Sequence, residues 1–262
     1  FKAADSAINE GHSILILSDR KVDKDHAAIP SLLAVSAVHH YLIRNGQRGH
    51  ADVIVEAGDV REVHHFATVL GYGASAVYPY LALDTIKQME EDNLLDGISA
   101  DVAIEKYTKA VNSGLLKIFS KMGISTLASY QGAQIFEILG ISSPVVDKYF
   151  TGTISRIEGL DLDDIAHEAL LKHRKGYPTR GGAAKVLDPG GDYSWRKDGE
   201  RHLFNPETIR LLQESTRNAD YQLYKKYCDK IDDQSQSAYT LRGLMQFKSD
   251  RSSIPLEEVE PA

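Results

Sequence analysis

Three short aliphatic runs, separated by segments with helical periodicity, constrain the fold of the first third of this chain more than any other feature. The runs are SILILSD (13–19), DVIVEAG (52–58) and SAVYPY (75–80). Between the first two, Pro30 and Ser31 mark a helix start and Gly46 follows the helix end. Strands that alternate with helices are typical of right-handed βαβ units, in which helices cover a parallel sheet. The pattern therefore predicts an α/β fold with parallel strands.

The remainder of the chain is richer in helical patterns than in strands. After two amphipathic segments come ISTLAS (124–129), which we interpret as a strand, and GAQIFEILG (132–140), which we interpret as the next helix. Asp161 is predicted to cap a further helix, and 205–231 is predicted to form one long helix. Together these segments favour an incomplete or degenerate βα-barrel-like unit with a helix-rich C-terminal part.

Charge and cysteine content exclude several classes of function. The net charge of −7 argues against nucleic acid as a partner, because nucleic-acid-binding domains carry a basic surface. Cys228 is the single cysteine, so the chain alone cannot build a disulfide framework, a CxxC redox pair or a cysteine-ligated iron–sulfur or structural zinc site. This favours a reducing compartment such as the cytoplasm. No apolar run has the length of a membrane span, and no segment has a signal-peptide pattern, so no membrane partner is expected.

Histidine pairs do not form a recognisable metal or catalytic site in the sequence. Adjacent histidines at 39–40 and 64–65 point about 100° apart on a helix, whereas a helical metal site needs them at i and i+4. We therefore expect one histidine of each pair to be hydrogen-bonded in the core and the other to face polar surroundings. Motifs such as GxSxG and the Walker loop are missing from the sequence. No residue is assigned a catalytic, cofactor-binding or metal-binding role.

A glycine-rich segment offers an alternative function. VIVEAGDVREVHHFATVLGYGASAVYPY has the order strand, glycine, helix, glycine-rich turn and strand with which flavin-binding βα-barrels hold a phosphate on backbone N–H groups. The place after the final strand is taken by Pro79, Tyr80 and Leu81, which are bulky and include one residue without an N–H. The alternative is a stand-alone βα-barrel enzyme that binds a phosphorylated ligand near Gly71 to Ser75.

The segment KMGISTLASYQGAQIFEILG (121–140) is apolar and nearly free of charge, yet small hydroxyls and amides are scattered through it. Two interpretations stay open. In the first, these side chains cap a helix and satisfy backbone groups at a turn. In the second, they contact a neighbouring domain or line an internal passage, since buried polar groups are costly without partners. The candidate residues are Ser125, Thr126, Ser129, Tyr130, Gln131 and Gln134.

Several long blocks indicate a family. The blocks are ILILSDR (14–20), IPSLLAVSAVHHYLIRNGQR (29–48), EAGDVREVHHFATVLGYGASAVYPYLA (56–82) and YFTGTISRIEG (149–159). Together with 121–140, they closely resemble the central domain of the large chain of glutamate synthases. The resemblance covers essentially the whole chain and corresponds to the C-terminal two-thirds of that domain. It implies a domain at 1–250 and, at 251–262, a linker that leads toward a flavin-binding domain.

The resemblance implies a connecting role and no chemistry at this chain's own residues. Glutamate synthases form L-glutamate from L-glutamine and 2-oxoglutarate, with FMN and a 3Fe–4S cluster in other domains and with ferredoxin or NAD(P)H as electron source. The chain is expected to link an amidotransferase domain to the flavin barrel, to help form the ammonia passage, and to lie in a cytoplasm or plastid stroma. Its expected partners are those domains and an electron-donor protein or subunit. A further alternative is an interaction module whose contact surface is the loop at 178–206, rich in Gly, Pro and aromatic residues.

Overall fold

A computed structural model describes residues 1–178, 189–233, 239–245, 248, 250 and 252–259. The chain divides into two units, residues 1–181 and residues 182–262. The helices of the first unit are α1 (Lys2–Asn9), α2 (Ser31–Arg44), α3 (Val63–Gly71), α4 (Tyr80–Glu91), α5 (Ala100–Met122), α6 (Leu127–Tyr130), α7 (Ser143–Tyr149) and α8 (Leu162–Gly176). Its strands are β1 (Ile14–Ser18), β2 (Asp52–Glu56), β3 (Ala76–Tyr78), β4 (Glu137–Ile141) and β5 (Ile154–Leu160).

The first sheet consists of β1, β2 and β3, in that order and all parallel. Its register pairs Ile16 with Ile54 and Ile54 with Ala76. Helix α2 connects β1 to β2, and α3 connects β2 to β3, as the alternating pattern predicts. Pro30 stands directly before α2 and presets the backbone for the helix start. The three predicted strands and their parallel arrangement are confirmed.

Alternate residues of these strands face the helices and form the core of the first unit. Leu15, Val53 and Val55 are 7%, 0% and 2% exposed, because strand side chains alternate between the two faces of a sheet. On the opposite face, Ile14 and Ile16 are 55% and 63% exposed. Removal of the covered face from water stabilises the unit. One core cluster of this unit includes Val55 of β2, and its buried members are Val35, Val55, Ala57, Val60, Phe66, Val69, Leu70, Ala74, Val111 and Tyr130.

The second sheet shows that two predictions for residues 124–140 are wrong. Residues 124–129 do not form a strand, and the predicted helix at 132–140 is a loop followed by β4, which pairs in parallel with β5. Gly132 and Gln134 have φ values of +72° and +53°, which interrupt a helix. The short apolar run that follows is compatible with helix or strand by itself, and pairing with β5 decides between them.

Helix α8 begins where the sequence predicts. The side chain of Asp161 accepts hydrogen bonds from the N–H groups of Asp163 at 2.9 Å and Asp164 at 3.0 Å. The Asp164 carboxylate in turn accepts from the N–H of Asp161 at 3.1 Å, which completes a capping box. Asp161 is therefore confirmed as the N-cap.

The second unit is helical over much of its described part. Its elements are α9 (Pro206–Asn218), α10 (Tyr221–Asp232), α11 (Leu241–Leu244) and a 3-10 turn (Leu256–Glu258). The prediction of one helix over 205–231 is wrong. Ala219 has a φ of +52°, which ends α9, and the Asp220 side chain caps α10 by accepting from the N–H groups of Gln222 and Leu223.

The loop predicted at 178–206 lies partly outside the described residues, since 179–188 are not described. Residues 189–204 contain neither helix nor strand. The role of this loop as a contact surface stays a prediction, as does the linker at 251–262.

The fold class predicted from the sequence is confirmed. Within the described residues, the strands form one three-stranded and one two-stranded parallel sheet, and neither closes into a barrel. The C-terminal unit is helix-rich, as expected. In the described part of the chain, no helix combines the length and the apolar character needed to cross a bilayer.

Candidate functional site

Polar side chains gather at the carboxyl ends of β1 and β2. The hydroxyl of Ser18 donates to Glu56 Oε2 at 2.5 Å, and Nε of Arg20 donates to Glu56 Oε1 at 2.5 Å. The Ser18 hydrogen bond is the main cause that lowers the pKa of Glu56, and Arg20 adds to it. The same ion pair raises the pKa of Arg20 above its ordinary value. Glu56 is therefore held ionised between a hydroxyl and a guanidinium.

Asp19, one residue beyond β1, forms the other half of this cluster. Its Oδ2 accepts from the N–H of Gly58 at 2.8 Å, and the Tyr80 hydroxyl donates to the carboxylate. Burial, followed by the bond to Asp19, raises the pKa of Tyr80 to about 12. The other carboxylate oxygen, Oδ1, is buried, and no described group donates to it. The Arg20 guanidinium lies 4.4 Å from the centre of the Tyr80 ring, a cation–π contact.

A cavity of about 780 Å³ opens beside this cluster, between the strand ends and the segment that leads into α2. Asp19, Arg20, Glu56 and Ile29 are among the residues that line it. The carboxyl ends of parallel strands are the usual place for ligands in α/β folds. A carboxylate with a lowered pKa is a weak general base for Ser18, so the arrangement suits recognition of a polar group better than nucleophilic catalysis.

The sequence-based prediction did not include this cluster, although a signal was present. Ser18, Asp19 and Arg20 directly follow the apolar run of β1, and Glu56 ends the run of β2. Neighbouring parallel strands end at the same edge of a sheet. Polar residues at both strand ends therefore predict a shared site.

Of the six residues proposed from the sequence, two are hydrogen-bonded to α3 or to the turn that follows it, and the other four are exposed. Tyr130 is fully buried, and its hydroxyl donates to the carbonyl of Ala67 at 3.1 Å. The amide of Gln131 donates to the carbonyl of Ala74 at 2.8 Å and to the hydroxyl of Ser75 at 3.2 Å. The structure thus brings this pair to α3 and to the turn between α3 and β3. The exposed members are Ser125, Thr126, Ser129 and Gln134.

The segment that carries these residues is fixed against the end of α3. The Thr126 hydroxyl accepts from the N–H of Ser129 at 3.3 Å and donates to its hydroxyl at 2.9 Å, so it caps α6. The N–H of Gly132 donates to the carbonyl of Gly71 at 2.8 Å. A Cβ on Gly71 would lie 2.6 Å from the ring of Phe136, which leaves no room for a larger residue. The exposed hydroxyls therefore stand on a well-anchored surface.

A buried histidine organises the turn between α3 and β3. His39 is 6% exposed, and Nε of Arg48 donates to its Nδ1 at 3.0 Å, which fixes a neutral ring with its proton on Nε2. Burial, with Arg48 and His40 adding to it, lowers the pKa of His39 to about 4. Arg48 also donates to the carbonyl of Gly73 at 3.0 Å. The imidazole and the guanidinium together hold the turn in place.

The prediction for the histidine pairs is confirmed at 39–40 and wrong at 64–65. His39 is in the core and hydrogen-bonded, and His40 is partly exposed beside Arg44. In the second pair, His64 is exposed and His65 is partly exposed, because the buried face of α3 begins at the next residue. Among the described residues, no three His, Cys, Asp or Glu side chains converge in a way that could hold a metal ion.

The glycine-rich turn does not have the free N–H groups of a phosphate site. The N–H groups of Gly73, Ala74 and Ser75 donate to the chain's own carbonyls at 2.7 to 3.1 Å. A Cβ on Gly73 would lie 2.2 Å from Nδ1 of His39, so the imidazole fills the space over the turn. The turn also lies at the amino end of β3, whereas phosphate sites form at the carboxyl ends of strands. These contacts argue against a barrel enzyme with a phosphorylated ligand near Gly71 to Ser75.

Comparisons with known proteins agree on one family. Residues 1–142 match the sequence profile of the glutamate synthase central domain. The glutamate synthase (NADPH) large chain of Bacillus subtilis is 50% identical over 100% of this chain and 17% of that protein. The glutamate synthase (NADH) of Saccharomyces cerevisiae is 45% identical over 99% of this chain and 12% of that protein. The ferredoxin-dependent glutamate synthase 1, chloroplastic/mitochondrial, of Arabidopsis thaliana is 44% identical over 100% of this chain and 16% of that protein. This chain spans less than a fifth of the length of these relatives.

Proposed function

Because the chain belongs to the glutamate synthase central domain family, we propose that it is a connecting domain of a glutamate synthase, the enzyme that makes L-glutamate from L-glutamine and 2-oxoglutarate. The observation that carries this proposal is 50% identity over the whole chain to a glutamate synthase large chain of which it covers 17%. In this role the chain links an amidotransferase domain to a flavin-binding domain of the same polypeptide. The predicted linker at 251–262 leads toward the flavin-binding domain.

The exposed groups near α6 suit a contact with a neighbouring domain or with the ammonia passage. Ammonia crosses between sites as NH₃ only where the surrounding groups are neutral, because a carboxylate favours ammonium and traps it. Residues 124–136 contain no Asp, Glu, Lys or Arg, although 26% of the chain is charged. Tyr130 and Gln131 hold this stretch against α3 and the turn before β3. The outward residues that we assign to the contact are Ser125, Thr126, Ser129 and Gln134.

In this proposal FMN and the 3Fe–4S cluster bind in other parts of the longer polypeptide. Cys228 is the only cysteine of the chain, and iron–sulfur clusters are held by several cysteine thiolates. The N–H groups of 73–75 are bonded to the chain's own carbonyls, so this turn does not fit the phosphate of FMN. The electron source is ferredoxin or a nicotinamide cofactor, as the names of the relatives state for those proteins. The location in this proposal is a cytoplasm or a plastid stroma, and the name of the Arabidopsis relative gives a chloroplastic or mitochondrial location for that protein.

Ser129→Val, made in the longer native chain, tests the passage role. The expected result is retained glutaminase activity with more glutamine hydrolysed for each 2-oxoglutarate consumed. The rise in this ratio should be up to about fivefold, because a lost hydrogen bond of about 1 kcal/mol changes a partition by that factor. The measurement is the ratio of the two consumption rates in one assay.

Ser113→Val is the matched control, because Ser113 is also an exposed serine but lies on α5. It should leave the ratio unchanged. An unchanged ratio for Ser129→Val, in a protein with an unaltered melting temperature, contradicts the passage role.

A further inference from the structure

The outer edge of β1 carries backbone groups that no described strand pairs with. The N–H of Asp52 donates to the carbonyl of Ser13 at 2.9 Å, and the N–H of Asp19 donates to the carbonyl of Glu56 at 3.2 Å. In a parallel pair of strands, the backbone N–H and C=O groups of successive residues point to opposite edges of the strand. These two bonds therefore show that the N–H and C=O groups of the odd-numbered residues of β1 face β2. The residues whose N–H and C=O groups point to the outer edge are Ile14, Ile16 and Ser18.

The sheet face opposite the helices is apolar along its middle. The register places Ile16 beside Ile54 and Ile54 beside Ala76, which makes an apolar row across all three strands. Ile14 and Ile16 are more than half exposed on this face. Parallel sheets are normally covered on both faces. The apolar residues on this face are therefore typical of a surface that packs against another part of a protein.

The position of α1 indicates what pairs with this edge. Ile8 of α1 packs with Leu15 and Leu42, and Phe1 stacks on Tyr41 of α2 with ring centres 4.4 Å apart. Helix α1 therefore lies on the same face of the sheet as α2. Connections between neighbouring parallel strands are right-handed in about 98% of cases. A helix beside α2 that leads into β1 has the position of a connection from a parallel strand on the outer side of β1.

We propose that a parallel strand of the same polypeptide, N-terminal to α1, pairs with the outer edge of β1 and adds a fourth strand to this sheet. A strand satisfies the edge N–H and C=O groups, whereas a helix laid on the open face would cover Ile14 and Ile16 and leave those groups without partners. This inference depends on the proposed function in one respect, because it requires that the chain belongs to a longer polypeptide. The Bacillus subtilis relative, of which this chain covers 17%, is long enough to contain such a strand.

Proline at position 16 tests the pairing in the longer native chain. Ile16→Pro removes an N–H that faces the outer edge and does not serve β2, and Ile16→Ala removes the same side chain and keeps the N–H. A free edge tolerates proline, whereas a paired edge loses a ladder hydrogen bond. We expect Ile16→Pro to melt at least about 3 °C below Ile16→Ala. Equal melting temperatures overturn the proposal.

Hydrogen exchange of single amides gives a second measurement that does not depend on a variant. In the longer chain, the amides of Ile16 and Ser18 should exchange as slowly as those of Leu15 and Leu17, within about tenfold. Fast exchange of the even-numbered amides alone overturns the proposal. Protection that disappears on dilution of about a hundredfold also overturns it, because a second copy of the chain then pairs with the edge.

The two proposals fail in different experiments. Protected Ile16 and Ser18 amides, together with an unchanged ratio in Ser129→Val, remove the passage role and keep the strand pairing. Unprotected amides, together with a raised ratio, remove the strand pairing and keep the passage role.

Discussion

The two sheets of the first unit are both parallel, but they are held together in different ways. The first sheet has strand residues such as Val53 and Val55 that are almost completely buried, and its register runs without interruption from Ile14 to Ser18. In the second sheet no residue of β4 or β5 is fully buried, and the register shifts twice. Burial of strand side chains therefore stabilises the first sheet, and another source must stabilise the second.

In the second sheet, close backbone contact and one helix replace buried strand residues. A Cβ on Gly159 would lie 2.5 Å from the carbonyl oxygen of Gly140, so the two strands approach where neither has a side chain. Val145 and Val146 of α7 form a cluster with Phe150, which directly follows the helix, and Ile138 and Ile141 of β4 pack against this cluster. The comparison shows that parallel strand pairing alone does not indicate which residues stabilise a sheet.

The largest expected effect comes from truncation of one apolar strand residue in each sheet. Val53→Ala should lower the free energy of unfolding by about 2 to 3 kcal/mol, because it removes two buried methyl groups and leaves a cavity. Leu139→Ala in β4 should cost less than about 1 kcal/mol, because Leu139 is 54% exposed. Urea unfolding of both variants measures the difference. Equal losses would show that the two sheets depend on side-chain burial to the same extent.

The same difference explains how much of the fold the sequence predicts. The first sheet can be predicted from the sequence because each of its strands is an aliphatic run and a helix separates each strand from the next. Residues such as Pro30 and Gly46 mark where the first of these helices begins and ends. The strand EILGI has no such signal, since its identity depends on pairing with residues 154–160. The sequence does not indicate the break after Asn218, because Ala219 is a good helix former by itself and only its left-handed backbone marks the end of the helix.

The site shows the same limit. Ser18, Asp19 and Glu56 could have been grouped from their positions at the ends of two predicted parallel strands. The placement of Tyr130 could not, because its hydroxyl bonds the carbonyl of Ala67, a residue 63 positions earlier in the chain. The chemical character of 124–136 was therefore visible in the sequence, and the division into anchored and exposed residues required the structure.

The second prediction concerns the pH dependence of the turn that leads into β3. The folded pKa of His39 is about 4, below the unfolded value of about 6.5, because burial and Arg48 disfavour the charged ring. The stability from the neutral ring is therefore fully present above about pH 6.5 and is lost as the pH falls from there through about 4. We expect a loss of about 2 kcal/mol, measured as the difference in urea unfolding between the wild type and His39→Asn across this range.

The control for this prediction is the variant itself. Asparagine does not titrate and its side-chain oxygen can accept from Arg48, so the stability of His39→Asn should change less over the same pH range. If the free energies of unfolding of the two proteins change in parallel with pH, the prediction is contradicted. Protonation of His39 then does not destabilise the turn that leads into β3.

The smallest expected effect is a methyl group added where the strands of the second sheet approach most closely. Gly159→Ala places a Cβ 2.5 Å from the Gly140 carbonyl oxygen, so the backbone of one strand must move. Overpacking of this kind costs about 1 to 2 kcal/mol, and the loss should appear as a lower melting temperature and as faster amide exchange in β4 and β5. Gly49→Ala is the matched control, because no atom of the described residues lies within 4 Å of its Cβ position. If the two variants melt together, close backbone contact does not stabilise the second sheet, and the cluster around α7 must do so alone.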